Sequence, residues 1–414
     1  MPSFDYARLR RFPDVEAPNL QAWDATDELL VARALAAGVP GEEIAVIGDE
    51  YGAITLALTE AGLAGVRVHQ DLVTGRQALA LNAREWGIDG FVPGELGPEL
   101  LTGARLVLLQ LPRALAELEE IADAIARWAP TDVELVAGGR VKHMTLAQNE
   151  VLGRAFARVQ PQRAERKSRL IVAAQPLPVP ETPPFPVSRT HDGLVLCAFG
   201  GAFAGAALDI GTRVLLEQLP ALAVAYSDTG TDGRGSQLRK IQPESPGETP
   251  DRGSQPDSCG VVNAAAPTSA PTVVDLGCGT GALAAAFALQ NPAATVIATD
   301  RSASAVRSAR ATMTANGLDG RVRVTLDDAG SALPAGSADI VLLNPPFHLG
   351  ASVHEGAGRR LIDAAARLLR PGGEVWTVFN SHLDHRRALT RAVGVTEQVV
   401  RTPKFTLTRS IRRG

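Results

Sequence analysis

Cysteine is scarce in this chain: Cys197, Cys259 and Cys278 are the only three in 414 residues, far apart and at no metal-ligand spacing. That excludes a disulfide-stapled scaffold, indicates no metal site, and fits a reducing compartment. Long hydrophobic runs are missing as well. No apolar stretch approaches the ~20 residues that a membrane-crossing helix needs, so no membrane association is expected. Met1 to Leu20 mixes Asp5, Arg8, Arg10, Arg11, Asp14 and Glu16 with prolines and has no apolar signal core, which makes a cytoplasmic location the expectation. Nothing points to an obligate protein partner.

What is there is the composition of a globular protein, 45% hydrophobic and 21% charged. At roughly 100 to 200 residues per domain, the length calls for two or three domains, each able to bury its own core. The net charge of -4 hides an asymmetry, because residues 351–414 carry twelve Lys or Arg against five Asp or Glu. Within that end, Arg386, Arg387, Arg391, Arg401, Lys404, Arg409, Arg412 and Arg413 could face nucleic-acid phosphates or simply form a solvated surface.

Two stretches punctuate the chain. Residues 227–271 are dense in Gly, Ser, Pro, Thr and Asp with few large aliphatics, too little to offset the entropy of ordering, and read as a flexible insertion. Residues 175–187 hold six prolines and read as an interdomain linker. Elsewhere, strand-like runs alternate with Ala- and Leu-rich helical stretches, the pattern of a parallel sheet covered by helices. In the second half, strands are expected at 273–276, 295–299, 322–326, 340–343 and 374–379. A helix over 361–369 is expected to stop at Pro371-Gly372-Gly373.

The two halves resemble each other. Ile44 to Gly52 can be laid on Val273 to Gly281, so that Gly48 and Gly52 match Gly277 and Gly281 while Glu50 replaces Gly279. Gly48 to Asp71 and Gly277 to Asp300 are both separations of 23 residues. Further on, Leu108-Leu109-Gln110-Leu111-Pro112-Arg113 lies opposite Leu342-Leu343-Asn344-Pro345-Pro346-Phe347. This is the pattern of a duplicated domain whose first copy has lost its chemistry: Glu50 puts a side chain where backbone must approach a ligand, and Arg113 removes an aromatic face.

In the second copy, Gly277, Gly279 and Gly281 follow a strand and precede the helical run from Ala282, a turn whose backbone N–H groups meet a polar ligand. Asp300 ends the next strand, where an acid about 20 residues on accepts from ribose hydroxyls. Those features alone also fit nicotinamide dinucleotides. The G-x-G-x-G spacing, the preceding Asp275 and the later Asn344 loop move the balance to S-adenosylmethionine. Asp327 or Asp328, with Asp328 preferred, is placed to accept from an adenine amino group, though either could be a solvated loop acid.

Asn344-Pro345-Pro346-Phe347 carries the most specific chemistry. The lone pair of an exocyclic base amine is delocalised into its ring, which makes it a poor nucleophile. Hydrogen bonds from its two N–H groups to the Asn344 side-chain oxygen and the Pro345 carbonyl favour a more tetrahedral nitrogen, with its lone pair turned toward a methyl donor. The two prolines fix those acceptors in advance. Phe347 is placed to stack on a target base that has left its own stack. His382 and His385 lack the companions of a metal site.

On these residues the chain resembles the bacterial ribosomal RNA guanine-N2 methyltransferases that carry two tandem methyltransferase-like domains, the first degenerate. The resemblance spans most of the chain. It is strongest in Phe203 with Ala207 to Thr212, in Val274 to Gly281, in Asn344 to His348, and in Asn380 to Asp384 with Lys404-Phe405. The Asn380, Lys404 and Ala137 to Lys142 segments look most like the large-subunit (23S) member, with a small-subunit (16S) enzyme still open.

The resemblance implies an α/β fold of two tandem Rossmann-like class I methyltransferase domains. Residues 1–174 would be a degenerate copy that supports RNA capture, and 188–414 the catalytic copy. The implied cofactor site is Asp275, Gly277, Gly279, Gly281, Asp300 and Asp328, the implied catalytic set Asn344, Pro345 and Phe347, and the partner ribosomal RNA or a ribosomal subunit. Methylation of adenine N6 or of a protein glutamine, and RNA chaperoning without catalysis, are the competing readings.

Overall fold

The computed structural model describes residues 4–219, 270–345, 351–383 and 385–414, with side chains in the helix after residue 350 described from residue 358 onward. Nearly all of the 227–271 stretch, and Pro346 to Gly350, therefore lie outside the described residues.

In the first half, chain order runs α1 (Ala25–Ala37), β1 (Ile44–Ile47), α2 (Ala53–Glu60), β2 (Arg67–His69), α3 (Val73–Trp86), β3 (Val92–Pro93), α4 (Pro98–Leu101), β4 (Leu106–Gln110), α5 (Leu115–Trp128), β5 (Glu134–Arg140), α6 (Leu146–Ala155), β6 (Phe156–Pro161) and β7 (Ser168–Pro176). A hairpin follows, β8 (Val187–His191) and β9 (Leu194–Ala198). The proline-rich stretch 175–187 thus includes the last two residues of β7 and the first of β8.

The second half continues with α7 (Ile210–Leu216), β10 (Thr272–Leu276), α8 (Ala282–Gln290), β11 (Thr295–Asp300), α9 (Ala303–Ala315), β12 (Val322–Leu326), β13 (Ala338–Leu343), α10 (Ala351–Leu368), β14 (Leu369–Asn380), α11 (His385–Ala392), β15 (Thr396–Arg401) and β16 (Phe405–Ile411).

Each half builds a seven-stranded sheet, and the two orders are the same: β3-β2-β1-β4-β5-β7-β6 and β12-β11-β10-β13-β14-β16-β15. The duplication read from spacing is therefore a duplication of topology. Register sharpens it: Ile47 pairs with Leu109 as Leu276 pairs with Leu343, so Gln110 stands where Asn344 stands in the second copy.

The sheets are mixed rather than wholly parallel, because β14–β16 and β15–β16 pair antiparallel, as do β5–β7 and β6–β7. The central strands are covered on both faces. Around β10 and β13, Val273, Ile340 and Leu342 join α8 and α9 in one core, while Val274, Val341 and Leu343 join α10 in the other.

One expected boundary is wrong. The helix ends at Leu368, and Pro371-Gly372-Gly373 lies inside β14, where the β13–β14 register jumps from Ala338↔Leu369 to Ile340↔Glu374. Gly373 is needed there because a Cβ would meet Asp339 O at 3.0 Å and Ala338 O at 3.1 Å. The glycines serve a bulge rather than a helix stop.

The halves meet through the turns that follow β2 and β11. Leu72 and Ser302 form an antiparallel bridge, with Val73 N donating to Arg301 O at 2.8 Å and Ala303 N to Asp71 O at 3.0 Å. Asp71 Oδ1 also accepts from Ser304 N at 2.7 Å, at the N-terminus of α9. The acid of the degenerate copy is thus spent on capping a helix of the intact one. Glu120 on α5 adds a second tie, accepting from Gly200 N at 2.7 Å and from Arg307 at 2.9 Å.

Candidate active site

The site forms at the carboxyl ends of β10, β11 and β13, where an open α/β sheet binds ligands. Gly277, Gly279 and Gly281 all have positive φ, at 78°, 54° and 78°. A Cβ at Gly277 or Gly279 would meet nothing within 4 Å, whereas one at Gly281 would strike Met313 Cε at 2.8 Å. The first two glycines therefore border open space, and the third lets α8 close on α9.

Asp300 Oδ2 accepts from Gly279 N at 2.9 Å and Oδ1 from Ser302 N at 2.9 Å. The carboxylate thus ties the glycine turn to the next loop and retains lone pairs for hydroxyl donors. Burial pushes its pKa up, against the pull of those two N–H groups.

Asp275 sits behind the turn: it is 2% exposed, and its Oδ2 accepts from Ala284 N at 3.0 Å. Burial raises its pKa to about 7. This carboxyl is placed to hold the first turn of α8. Cys278 is buried in the same core, and burial lifts its thiol well above its ordinary range, in keeping with a packing residue.

The two acids after β12 divide their work. Asp327 is used up in its own loop, accepting from Ser331 Oγ at 2.6 Å and Ala332 N at 2.9 Å. Asp328 is buried and ion-paired with Arg360 of α10, which also donates to Pro13 O at 3.0 Å. Sequence reasoning missed that arginine, since 32 residues separate the pair and no local pattern joins them.

At the end of β13, Asn344 Nδ2 donates to Asp209 Oδ2 at 3.0 Å and to Thr212 Oγ1 at 2.9 Å. Asp209 is the N-cap of α7, its side chain also accepting from Thr212 N at 3.1 Å. With both donors engaged, the amide has one orientation, and its Oδ1 is left buried with no partner among the described residues. Gly211 makes room for it, since a Cβ there would stand 3.2 Å from Asn344 Oδ1 and 3.0 Å from Asp209 Oδ2. Pro345 is buried beside it, and Phe347 lies outside the described residues.

The degenerate copy shows the same frame with its openings closed. Asp24 caps α1 as Asp209 caps α7, and Gln110 Nε2 donates to Asp27, three residues on, as Asn344 does to Thr212. Burial pushes Asp27 up to about 8. Asp49 fills the turn from inside, accepting from Gly52 N at 3.0 Å and Thr55 N at 2.7 Å. Gly48 faces Gln110, whose O and Cβ would lie 3.2 Å and 3.3 Å from a Cβ, so the space open at Gly277 is occupied. Glu50 does not take the positive φ of Gly279.

The basic end divides in a similar way. Arg409 pairs with Glu374, Arg412 donates to Ala392 O at 3.1 Å and Arg413 to Thr390 O at 3.0 Å, so these three are framework residues. Arg386, Arg387, Arg391, Arg401 and Lys404 are exposed around α11 and the β15–β16 turn. Among the described residues no group of three or more His, Cys, Asp or Glu is arranged to hold a metal, and no helix is long and apolar enough to cross a membrane.

A duplicated α/β fold, a glycine turn bordering open space and an oriented amide oxygen together define a two-domain methyltransferase with one intact site. Profiles described as the RLMG N-terminal domain and the Methyltransferase small domain match residues 2–177 and 260–409. Over 96% of both chains it is 32% identical to the ribosomal RNA large subunit methyltransferase G of Pseudomonas paraeruginosa, and over 98% of this chain and 97% of the other 31% identical to that of Streptomyces coelicolor. The chain belongs to the ribosomal RNA large subunit methyltransferase G family. The T. thermophilus 16S rRNA N2 G1207 methyltransferase, solved with AdoMet and guanosine, shares the fold across 99% of both chains, with a TM-score of 0.69 and 20% identity.

Proposed function

We propose that the second domain transfers a methyl group from S-adenosylmethionine to the exocyclic N2 of a guanine in large-subunit (23S) ribosomal RNA. The observation that carries this reading is the buried, unpartnered Asn344 Oδ1, held open by Asp209 and Thr212. The names of the full-length relatives support ribosomal RNA as the partner and favour the large subunit.

When bound, S-adenosylmethionine supplies an electrophilic methyl group. Gly277 and Gly279 give backbone room for it, Gly281 seats the helix behind, and Asp300 accepts from its ribose hydroxyls. Asp275 supports this turn from inside, and Asp328 would accept from the adenine amino group. Arg360 must share that carboxylate or leave it.

Asn344 Oδ1 and the Pro345 carbonyl accept the two N–H groups of the target amine, which turns its lone pair toward the methyl. Since both acceptors are fixed beforehand, little reorganisation accompanies attack. No strong base is needed, because the amine becomes acidic as positive charge develops and gives up its proton to water once the methyl is transferred. Phe347 stacks on the flipped base. The exposed arginines of α11 and Lys404 meet backbone phosphates.

The test supplies labelled S-adenosylmethionine with unmodified 23S RNA, 16S RNA and both subunits, each incubated separately. Label is expected in 23S RNA or the large subunit. Label confined to 16S RNA or the small subunit would overturn the choice of subunit.

A further inference from the structure

The proposed function uses one of two unpartnered amide oxygens at this edge of the sheet. The other is Asn380 Oδ1, at the end of β14, which is also buried with no hydrogen-bond partner among the described residues. A buried amide oxygen without a donor is destabilising, and such a group persists where a ligand brings the donor.

Its place follows from register. Along β14, Trp376 and Val378 belong to the core beneath α7 and α8, and Phe379 to the opposite core, so Asn380 lies on the α7 face. Leu343 pairs with Thr377, which sets Asn344 opposite Val378 on that same face. Asn380 is two residues further along, and strand rise with interstrand spacing puts the two Cα atoms roughly 8 Å apart.

The antiparallel neighbour of Asn380 is Phe405. The Phe405 ring borders the same glycine as Asn344, since a Cβ on Gly211 would meet Phe405 Cε1 at 3.4 Å and Asn344 Oδ1 at 3.2 Å. Asn344 and Asn380, each with a buried unpartnered oxygen, thus stand on the α7 face of the sheet next to Phe405.

We propose that Asn380 determines base specificity: its Oδ1 accepts the N1–H of guanine while Asn344 Oδ1 accepts an N2–H. This rests on the guanine-N2 reading. Guanine presents N1–H and the N2 amine side by side as donors. Adenine held in the same pose has no amine at C2 for Asn344, and even docked by its N6 amine it turns a bare N1 lone pair against the Asn380 oxygen, which is left unpaired. The same pair selects against any base that lacks a proton on N1.

The test uses the full chain with S-adenosylhomocysteine bound, and compares guanosine with 2-aminopurine riboside, which keeps the N2 amine but has no N1 proton. The protein is expected to bind guanosine tighter by about 10-fold or more. Asn380→Ala should bind the two within about 2-fold of each other, with unchanged affinity for S-adenosylhomocysteine, while Asn380→Asp, which keeps an acceptor, retains the preference. No preference in the unsubstituted protein, or the same preference in Asn380→Ala, would overturn the assignment. A parallel incubation with labelled S-adenosylmethionine and unmodified 23S RNA separates the two ideas. N2-methylguanosine formed by a protein whose Asn380→Ala variant keeps its preference removes only the role of Asn380. Its absence from the unsubstituted protein's product removes the guanine-N2 reading itself.

Discussion

Asn344→Ala is expected to lower methyl transfer by about 10³-fold in kcat while leaving cofactor affinity within about 3-fold, as befits an interaction strongest in the transition state. The side chain touches Asp209 and Thr212, and its unpartnered oxygen lies against Gly211, whereas the cofactor turn is built by other residues. Single-turnover transfer and cofactor calorimetry measure the two effects separately. Asp209→Ala should follow in milder form, about 10- to 100-fold, because it frees the amide to rotate without removing it. Asp209→Asn should recover part of the loss, since its oxygen can still accept from Asn344 Nδ2 and Thr212 N. Activity unchanged in Asn344→Ala would show that this amide is not the amine acceptor.

Gly279→Glu should abolish measurable cofactor binding, a loss of about 100-fold or more. Gly279 has φ 54°, which costs an ordinary residue about 1 kcal/mol or more. The added side chain would also enter the open space beside Asp300, bringing a second carboxylate to it. Gly279→Ala bears only the backbone strain and should lose far less. The first copy supplies the converse: Glu50→Gly should not create a cofactor site, because Asp49 still occupies the turn and Gln110 still fills the space over Gly48. Calorimetry with S-adenosylmethionine checks all three variants, and tight binding by Gly279→Glu would contradict the placing of the cofactor at this turn.

Much of this was legible in the chain because it is local. A strand followed by Gly277-Cys278-Gly279-Thr280-Gly281, with Asp300 at the next strand end, is a short-range pattern, and its echo from Gly48 to Asp71 exposed the duplication. Gln110 was matched to Asn344 by spacing alone, and register places them at equivalent points.

What was not legible depends on through-space contacts. The segment around Asp209 stood out by resemblance, but nothing local shows that it grips an amide 135 residues away. Asp71 looked like a vestige of a lost site, and only the meeting of the two halves shows it capping α9. Asp275 carried the pattern of a ligand residue, yet it lies beneath the turn, against Ala284. Pro371-Gly372-Gly373 has the composition of a helix stop as readily as that of a bulge, and the close approach of β13 at Asp339 O decides between them.

The central claim is that one intact site methylates the N2 amine of guanine in ribosomal RNA. Its most direct test is nucleoside mass spectrometry of unmodified 23S RNA after incubation with this protein and isotopically labelled S-adenosylmethionine. Labelled N2-methylguanosine, absent when Asn344→Ala replaces the protein, is the predicted result. Label in N6-methyladenosine, or in protein rather than RNA, would contradict it.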